Sequence, residues 1–410
     1  MKKTLIFVIL VAVLLFLTSS PAFHQEQHEV VVTNVQVPLR AFDGDRFVPD
    51  LNMADIEVYE DGELQDVTAL YLTRNGKIER MDATRDYMPM TDRQFYFVFQ
   101  VMEYNPKMTE AIEYFFNEVY QPGDDLVIQT PIKSYRLPAE KAKTIPRETL
   151  IEDMQKVIRK DANVGAMEYK NLLKDLRRIV RSISSTQGGA MSGMADLDSS
   201  DSVGIQSLEF LLPRYRDTLG RMEELRLIDE KWILRFASQL RRIEKQKIVY
   251  FFYEREFRPV IQASLLGKIQ MQYHDDYNII GQIQDLFQAY HRELALEVDP
   301  LTRAFADAAV LLNFFFISKK PESVSGVTMQ EQSEDVYKVF SQVSLATGGV
   351  VDNSQNPASA FKSTAQLTEY SYLLYYSPRN YVKDGSFKTI EVRIKDRDYR
   401  ITHRKGYFAN

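Results

Sequence analysis

At 410 residues and a formal charge of −6, the chain is long enough for two or three domains, and it lacks the basic excess that would point to nucleic acid. It contains no cysteine, which excludes disulfides, thiolate metal sites and cysteine nucleophiles. Aromatic residues make up 12% of the chain, a share that suits either a strand-rich core or an adhesive surface.

The first 22 residues read as a secretory signal. Lys2 and Lys3 precede the apolar run Leu5–Leu17, and small residues follow up to a cleavage point after Ala22. The run is shorter than the roughly 20 residues that span a bilayer. No cysteine follows it, so a lipoprotein anchor is excluded. Cleavage removes two lysines and takes the formal charge from −6 to −8. The alternative is an uncleaved membrane anchor. An exported chain without disulfides depends on its core for stability, which fits a bacterial envelope protein.

Residues 23–75 read as a β segment. Val31, Thr33, Val35, Val37, Leu39 and Ala41 share one parity, as a half-buried strand requires. Asp43-Gly44 and Asp61-Gly62 are turn signals. Arg74–Asp92 is polar and reads as a linker.

An α/β section spans 93–365. The stretch Phe95–Val101 is apolar on both parities, the mark of a strand buried on both faces of a parallel sheet. Further buried strands are predicted at Leu126–Thr130, Ile248–Tyr253, Ala309–Ser318 and Gly349–Val351, with helices near Met108–Tyr120 and Ser333–Thr347. Strands alternating with helices predict a doubly wound sheet. The interval 144–243 is almost wholly helical in spacing, with one apolar series at Leu150, Met154, Val157 and Ile158 and another from Leu172 to Ile183. It reads as a helical insertion, either shielding one face of the sheet as a pair of hairpins or binding a partner. The Gly/Ser-rich stretch 184–202 splits it and reads as a mobile loop.

Residues 366–410 return to β, with strands at Tyr370–Tyr376, Phe387–Ile394 and Tyr399–Arg404. The two β segments carry opposite charge. Phe23–Asn75 holds eleven acidic and three basic side chains, and Pro378–Asn410 nine basic and four acidic. Neither closes a sandwich alone, so they are expected to pair into one small β-sandwich-like domain around the inserted α/β section.

Several of these segments also form an ordered set of motifs. LNMADIEVYEDGELQDV near the start is followed by PGDDLVIQT, LATGGVV, SYLLYYSP, DGSFKTIEVRIK and RKGYF. In that order they resemble the secreted bacterial VWFA-related proteins of the acidobacterial type, which carry a von Willebrand factor type A domain. The resemblance covers most of the chain outside Thr144–Ile243. It implies a doubly wound, von Willebrand A-like sheet with a metal-ion-dependent adhesion site at the strand tips. That site takes an Asp-x-Ser-x-Ser motif, a Thr and a later Asp, because Mg²⁺ demands hard oxygen ligands. Carried onto this chain, the first motif falls on Gln100, Met102 and Tyr104, and the later Asp falls on Glu254. A lone carboxylate does not hold Mg²⁺ against water. The adhesion site is therefore expected to be degenerate, with neither a metal nor a cofactor.

If that fold holds, Glu103, Tyr104, Glu254, Arg255, Glu256 and Arg258 gather at the strand tips. They would form either a metal-free recognition patch or an internally paired cluster. Of the five histidines, His24 and His28 flank the expected mature terminus, and only His274 has adjacent acids, Asp275 and Asp276. Neighbouring residues do not converge on one metal. No G-x-S-x-G, H-E-x-x-H or phosphate-loop pattern occurs. The resulting expectation is a non-catalytic, secreted or periplasmic protein-interaction module. Its partner would be an unidentified protein of the envelope or the cell exterior, with no nucleic acid, and with a membrane only if the signal segment stays uncleaved. The alternative is a membrane-tethered structural envelope protein that uses its long helices for assembly.

Overall fold

The computed structural model describes residues 34–84, 89–101, 103–187, 208–226, 228, 230–291 and 296–410. The signal segment, His24, His28, Met102 and most of the 184–202 stretch lie outside the described residues.

The α/β section is built on a six-stranded sheet. Its spatial order is Val351–Asp352, Val310–Ile317, Gln246–Glu254, Arg93–Gln100, Asp125–Gln129 and Ser134–Leu137. The first five strands are parallel, and the last is an antiparallel edge that the sequence pattern did not reveal. Numbered along the chain, these strands run 3-2-1-4-5-6, an order that reverses between Arg93–Gln100 and Gln246–Glu254. Apolar residues on both parities follow from cover on both faces. Phe95, Phe97 and Phe99 pack with the helices Pro106–Tyr114 and Pro357–Leu367 and with the first half of Arg147–Gln187. Tyr96 and Val98 face the helices Glu230–Arg241, Val298–Asp307 and Glu334–Ala346. Stacked rings cross adjacent strands, with centroids 5.0 Å apart for Phe99–Phe252 and 4.7 Å for Phe252–Phe315.

The two apolar series read from 144–243 belong to one helix of 41 residues, Arg147–Gln187, about 60 Å long at 1.5 Å per residue. Ser184–Gln187, read as the start of a loop, is the last turn of this helix; the rest of that stretch lies outside the described residues. Leu150, Met154, Ile158 and Ala162 pack on the sheet. From Leu172 to Ile183 the same helix enters a second core. There it meets the helices Leu208–Arg226, Ala263–Gln272 and Tyr277–Ala289 around an antiparallel strand pair, Phe257–Ile261 with Val327–Glu331. This helical lobe is assembled from three separate segments: the second half of the long helix with Leu208–Arg226, and the stretches that follow the carboxyl ends of Gln246–Glu254 and Val310–Ile317. The 144–243 interval is therefore not a pair of hairpins on one face: Arg147–Gln187 and Glu230–Arg241 pack on opposite faces of the sheet.

The β segments form two facing sheets. One has the order Arg400–His403, Val35–Asp43, Tyr370–Tyr376, Val67–Arg74 and Lys77–Ala83, with the short strand Arg46–Phe47 on Val35–Asp43. The other runs Gly406–Phe408, Phe387–Ile394, Ile56–Glu60 and Glu63–Gln65. Val35, Val37, Leu39, Leu72 and Leu374 meet Ile56, Val58, Ile390 and Val392 between them. The stretch read as a linker from Arg74 contains the strand Lys77–Ala83, joined to Val67–Arg74 through Asn75-Gly76, both with positive φ. Among the described residues, the opposite charges of the two segments meet in Arg379–Asp66 at 2.8 Å and Lys388–Asp61 at 3.8 Å.

Candidate functional site

In a doubly wound sheet, ligands bind outside the carboxyl ends of the strands where the order reverses. Here that point lies between Arg93–Gln100 and Gln246–Glu254, paired in register up to Gln100 opposite Tyr253. Beyond Val101 the chain turns at once into a helix. The Asn105 side chain accepts the Lys107 backbone N–H at 2.9 Å, and Pro106 occupies the first helical position. A cleft of about 300 Å³ opens beside this turn, lined by Glu103, Tyr104, Met108, Glu254 and Lys319.

Charge in the cleft is internally matched. The Lys319 ammonium lies 3.4 Å from Glu103 Oε2 and 3.5 Å from Glu254 Oε1, so it bridges the two carboxylates. Lys170, on the long helix, reaches the other oxygen of Glu103 at 3.1 Å. Burial pushes the Glu103 carboxyl up, but the bond from Lys170 and the charge of Lys319 outweigh it and hold the group below its ordinary range. Tyr104 shares a 2.8 Å hydrogen bond with the Thr109 hydroxyl, and the Arg159 guanidinium lies 4.9 Å from its ring centre. Nearby, buried Asp161 of the long helix accepts from the Thr130 hydroxyl at 2.7 Å and the Tyr135 hydroxyl at 3.1 Å, which fixes the helix to the sheet's carboxyl edge.

Only part of the residue set expected at the tips gathers there. Glu103, Tyr104 and Glu254 line the cleft. Gln100 instead lines an apolar cavity of about 320 Å³ with Gln129, Trp232 and Phe236. Met102 lies outside the described residues. Arg255 turns toward Glu331, at 3.1 Å, and lies against the Phe316 ring. Glu256 and Arg258 are 2% and 3% exposed, because the chain runs from Glu254 straight into the lobe's strand pair. Arg258 is paired not with Glu254 or Glu256 but with Glu223, at 2.8 Å, and it donates further to the carbonyls of Ala289 and Tyr290.

Lys319 and Lys170 were missed in the sequence. Lys319 follows directly on the apolar run Ala309–Ser318, so the strand-tip rule itself would have found it. Lys170 is one of many charges along a helix and carries no local signal. At His274-Asp275-Asp276, the imidazole and Asp275 are exposed, and Asp276 caps the helix Tyr277–Ala289. Among the described residues, no three His, Cys, Asp or Glu side chains converge as metal ligands would, and no helix is long and apolar enough to cross a membrane.

No protein-family model matches this chain, and no curated protein or solved structure matches it significantly. The geometry must therefore be read on its own terms. To bind a divalent cation, Glu103 and Glu254 would have to release Lys319, and the backbone turn at Asn105 offers the helix Pro106–Tyr114 rather than a set of hydroxyl ligands. The cleft can hold the lobe and the sheet together. Among the described residues, its lining pairs no nucleophile with a base.

Proposed function

We propose that the chain is a non-catalytic, exported protein-interaction module on a von Willebrand A-like scaffold, and that it engages its partner without a bound cation. One observation carries this reading. At the point of strand reversal, where an adhesion-type domain would hold a metal, Glu103 and Glu254 are bridged by Lys319. The 3-2-1-4-5-6 strand order supports the scaffold, and the motifs at the two ends of the chain support the kinship. The helical lobe provides the contact surface in this reading, since it exposes Phe210, Met271, Tyr277 and Phe287. Aromatic and methionine side chains of this kind act as anchors in protein interfaces.

Thermal melts with EDTA and with Mg²⁺ or Mn²⁺ test the cation-free state, and equal melting temperatures are expected. A metal-dependent rise that Glu254→Gln abolishes would show a working adhesion site and sink the proposal. Crosslinking from the native envelope should give the same partner band with and without chelator. A Phe210→Ser/Tyr277→Ser variant should lose that band. Mass spectrometry of the mature protein should find Phe23 as its first residue.

A further inference from the structure

The opposite, amino edge of the central sheet faces the β-sandwich across a cavity of about 290 Å³. Five cationic side chains line it. Two have partners: Arg93 makes a bidentate pair with Asp124 at 3.0 and 2.7 Å, and Lys245 meets Asp125 at 2.9 Å. The other three are Arg40, Lys247 and Arg404, only 6%, 7% and 8% exposed. None of them meets a carboxylate among the described residues. Arg40 donates to the Gly348 carbonyl, and Lys247 to the Ile243 carbonyl at 2.9 Å. Arg404 Nε is buried without any hydrogen-bond partner.

Neighbouring acids do not fill the gap. Asp307, whose charge acts on Lys247 and Arg404, has both oxygens committed, to Arg241 at 3.0 Å and to the Phe408 backbone N–H at 2.8 Å. Glu369 at the cavity wall is paired with Arg74 at 2.7 Å, and Glu244 is exposed. Burial and the charge of Arg404 push the Lys247 ammonium down to about 8, the behaviour of a cation that lacks a counter-charge. An unpaired buried cation is costly, and three around one cavity need a compensating anion.

We infer that this cavity is a binding site for a phosphoryl dianion, supplied as inorganic phosphate or as a small phosphomonoester, and held by Lys247 and Arg404, with Arg40 on the same cavity's wall. A guanidinium fork and an ammonium suit the several acceptor oxygens of a tetrahedral dianion, with charge-assisted hydrogen bonds from both. The volume leaves room for a short ester substituent. The site is independent of the reading given to the strand tips.

Calorimetry and thermal melts of the purified protein with sodium phosphate, against sodium chloride at equal ionic strength, provide the test. Phosphate should bind saturably and raise the melting temperature by roughly 2–4 °C, a shift that chloride does not give. Lys247→Met and Arg404→Met should each weaken phosphate binding by about tenfold or more. In the absence of phosphate each should melt close to the wild type, since each removes a buried charge that meets no carboxylate among the described residues. Glycerol 3-phosphate run in parallel separates the sources: binding by both ligands means that the site accepts esters, and binding by phosphate alone restricts it to the free ion. Absence of saturable binding by either ligand overturns the inference, as does a phosphate shift that survives both substitutions. Should Arg404→Met fail to fold, Lys247→Met and wild-type calorimetry still decide.

Discussion

The two edges of one sheet handle charge in opposite ways. At the carboxyl edge the ionic groups are matched, with Lys319 between Glu103 and Glu254, Lys170 on Glu103 and Arg258 on Glu223. At the amino edge Arg93 and Lys245 are matched, while Arg40, Lys247 and Arg404 are buried and meet no carboxylate among the described residues. A matched cluster serves as glue between the lobe and the sheet. An unmatched one marks a place where the protein is electrostatically incomplete. The position where doubly wound folds usually work is thus the settled edge of this molecule, and the unusual chemistry lies at the other end of the same strands.

The contrast can be broken from either side, and the largest effect belongs to the matched pair at the amino edge. Asp124→Ala leaves Arg93 buried beside the three unpaired cations and should cost about 3–5 kcal/mol in urea unfolding. Next comes acid. His403 is buried next to Arg404, and burial and the nearby Lys405 push its imidazole down to about 4. The unfolded chain takes up the proton below about 6.5 and the folded chain only below about 4, so stability should fall as pH drops through that window. The loss should reach up to about 3 kcal/mol, and His403→Gln should flatten that part of the stability–pH curve.

At the carboxyl edge, Lys319→Met leaves two carboxylates facing each other and should cost about 1–2 kcal/mol at pH 7. Double substitution Lys319→Met/Glu254→Gln should restore part of this, as equilibrium unfolding at neutral pH would register. Lys170→Met should matter least, under about 1 kcal/mol, because that pair is roughly half exposed and screened by solvent. If Lys170→Met costs more than Asp124→Ala, the assignment of a settled and an incomplete edge is inverted.

How much of this was legible in the sequence depended on what each segment touches. The runs at Phe95, Ile248 and Ala309 announced themselves because helices cover both faces of their strands. Lys77–Ala83 did not, since it is a largely exposed edge strand with no apolar parity to read. The unity of the long helix was hidden between Ala162 and Tyr169, where it passes from one core to the other and leaves Val164 and Met167 exposed. A pattern search sees two helices wherever the buried face lapses for two turns. Glu103, Tyr104 and Glu254 followed from the strand-tip rule. Arg255, Glu256 and Arg258 did not, because adjacency in sequence says nothing about a chain that leaves the tip for a different core. The amino-edge cations were invisible for another reason: Arg40, Lys247 and Arg404 come from three distant segments, and only the completed fold brings them to one cavity.

The interleaving of the sandwich sets a timetable for the growing chain. Val35–Asp43 sits between Tyr370–Tyr376 and Arg400–His403, and the Tyr372 hydroxyl donates to the carbonyl of Val48 across 324 residues of sequence. Apart from its short pairing with Arg46–Phe47, this strand therefore waits for partners until Tyr370–His403 has been made. Contacts this distant close slowly, and in the interval the strand's apolar face is open to holdase chaperones or to a neighbouring copy. Synthesis order and folding order run against each other here.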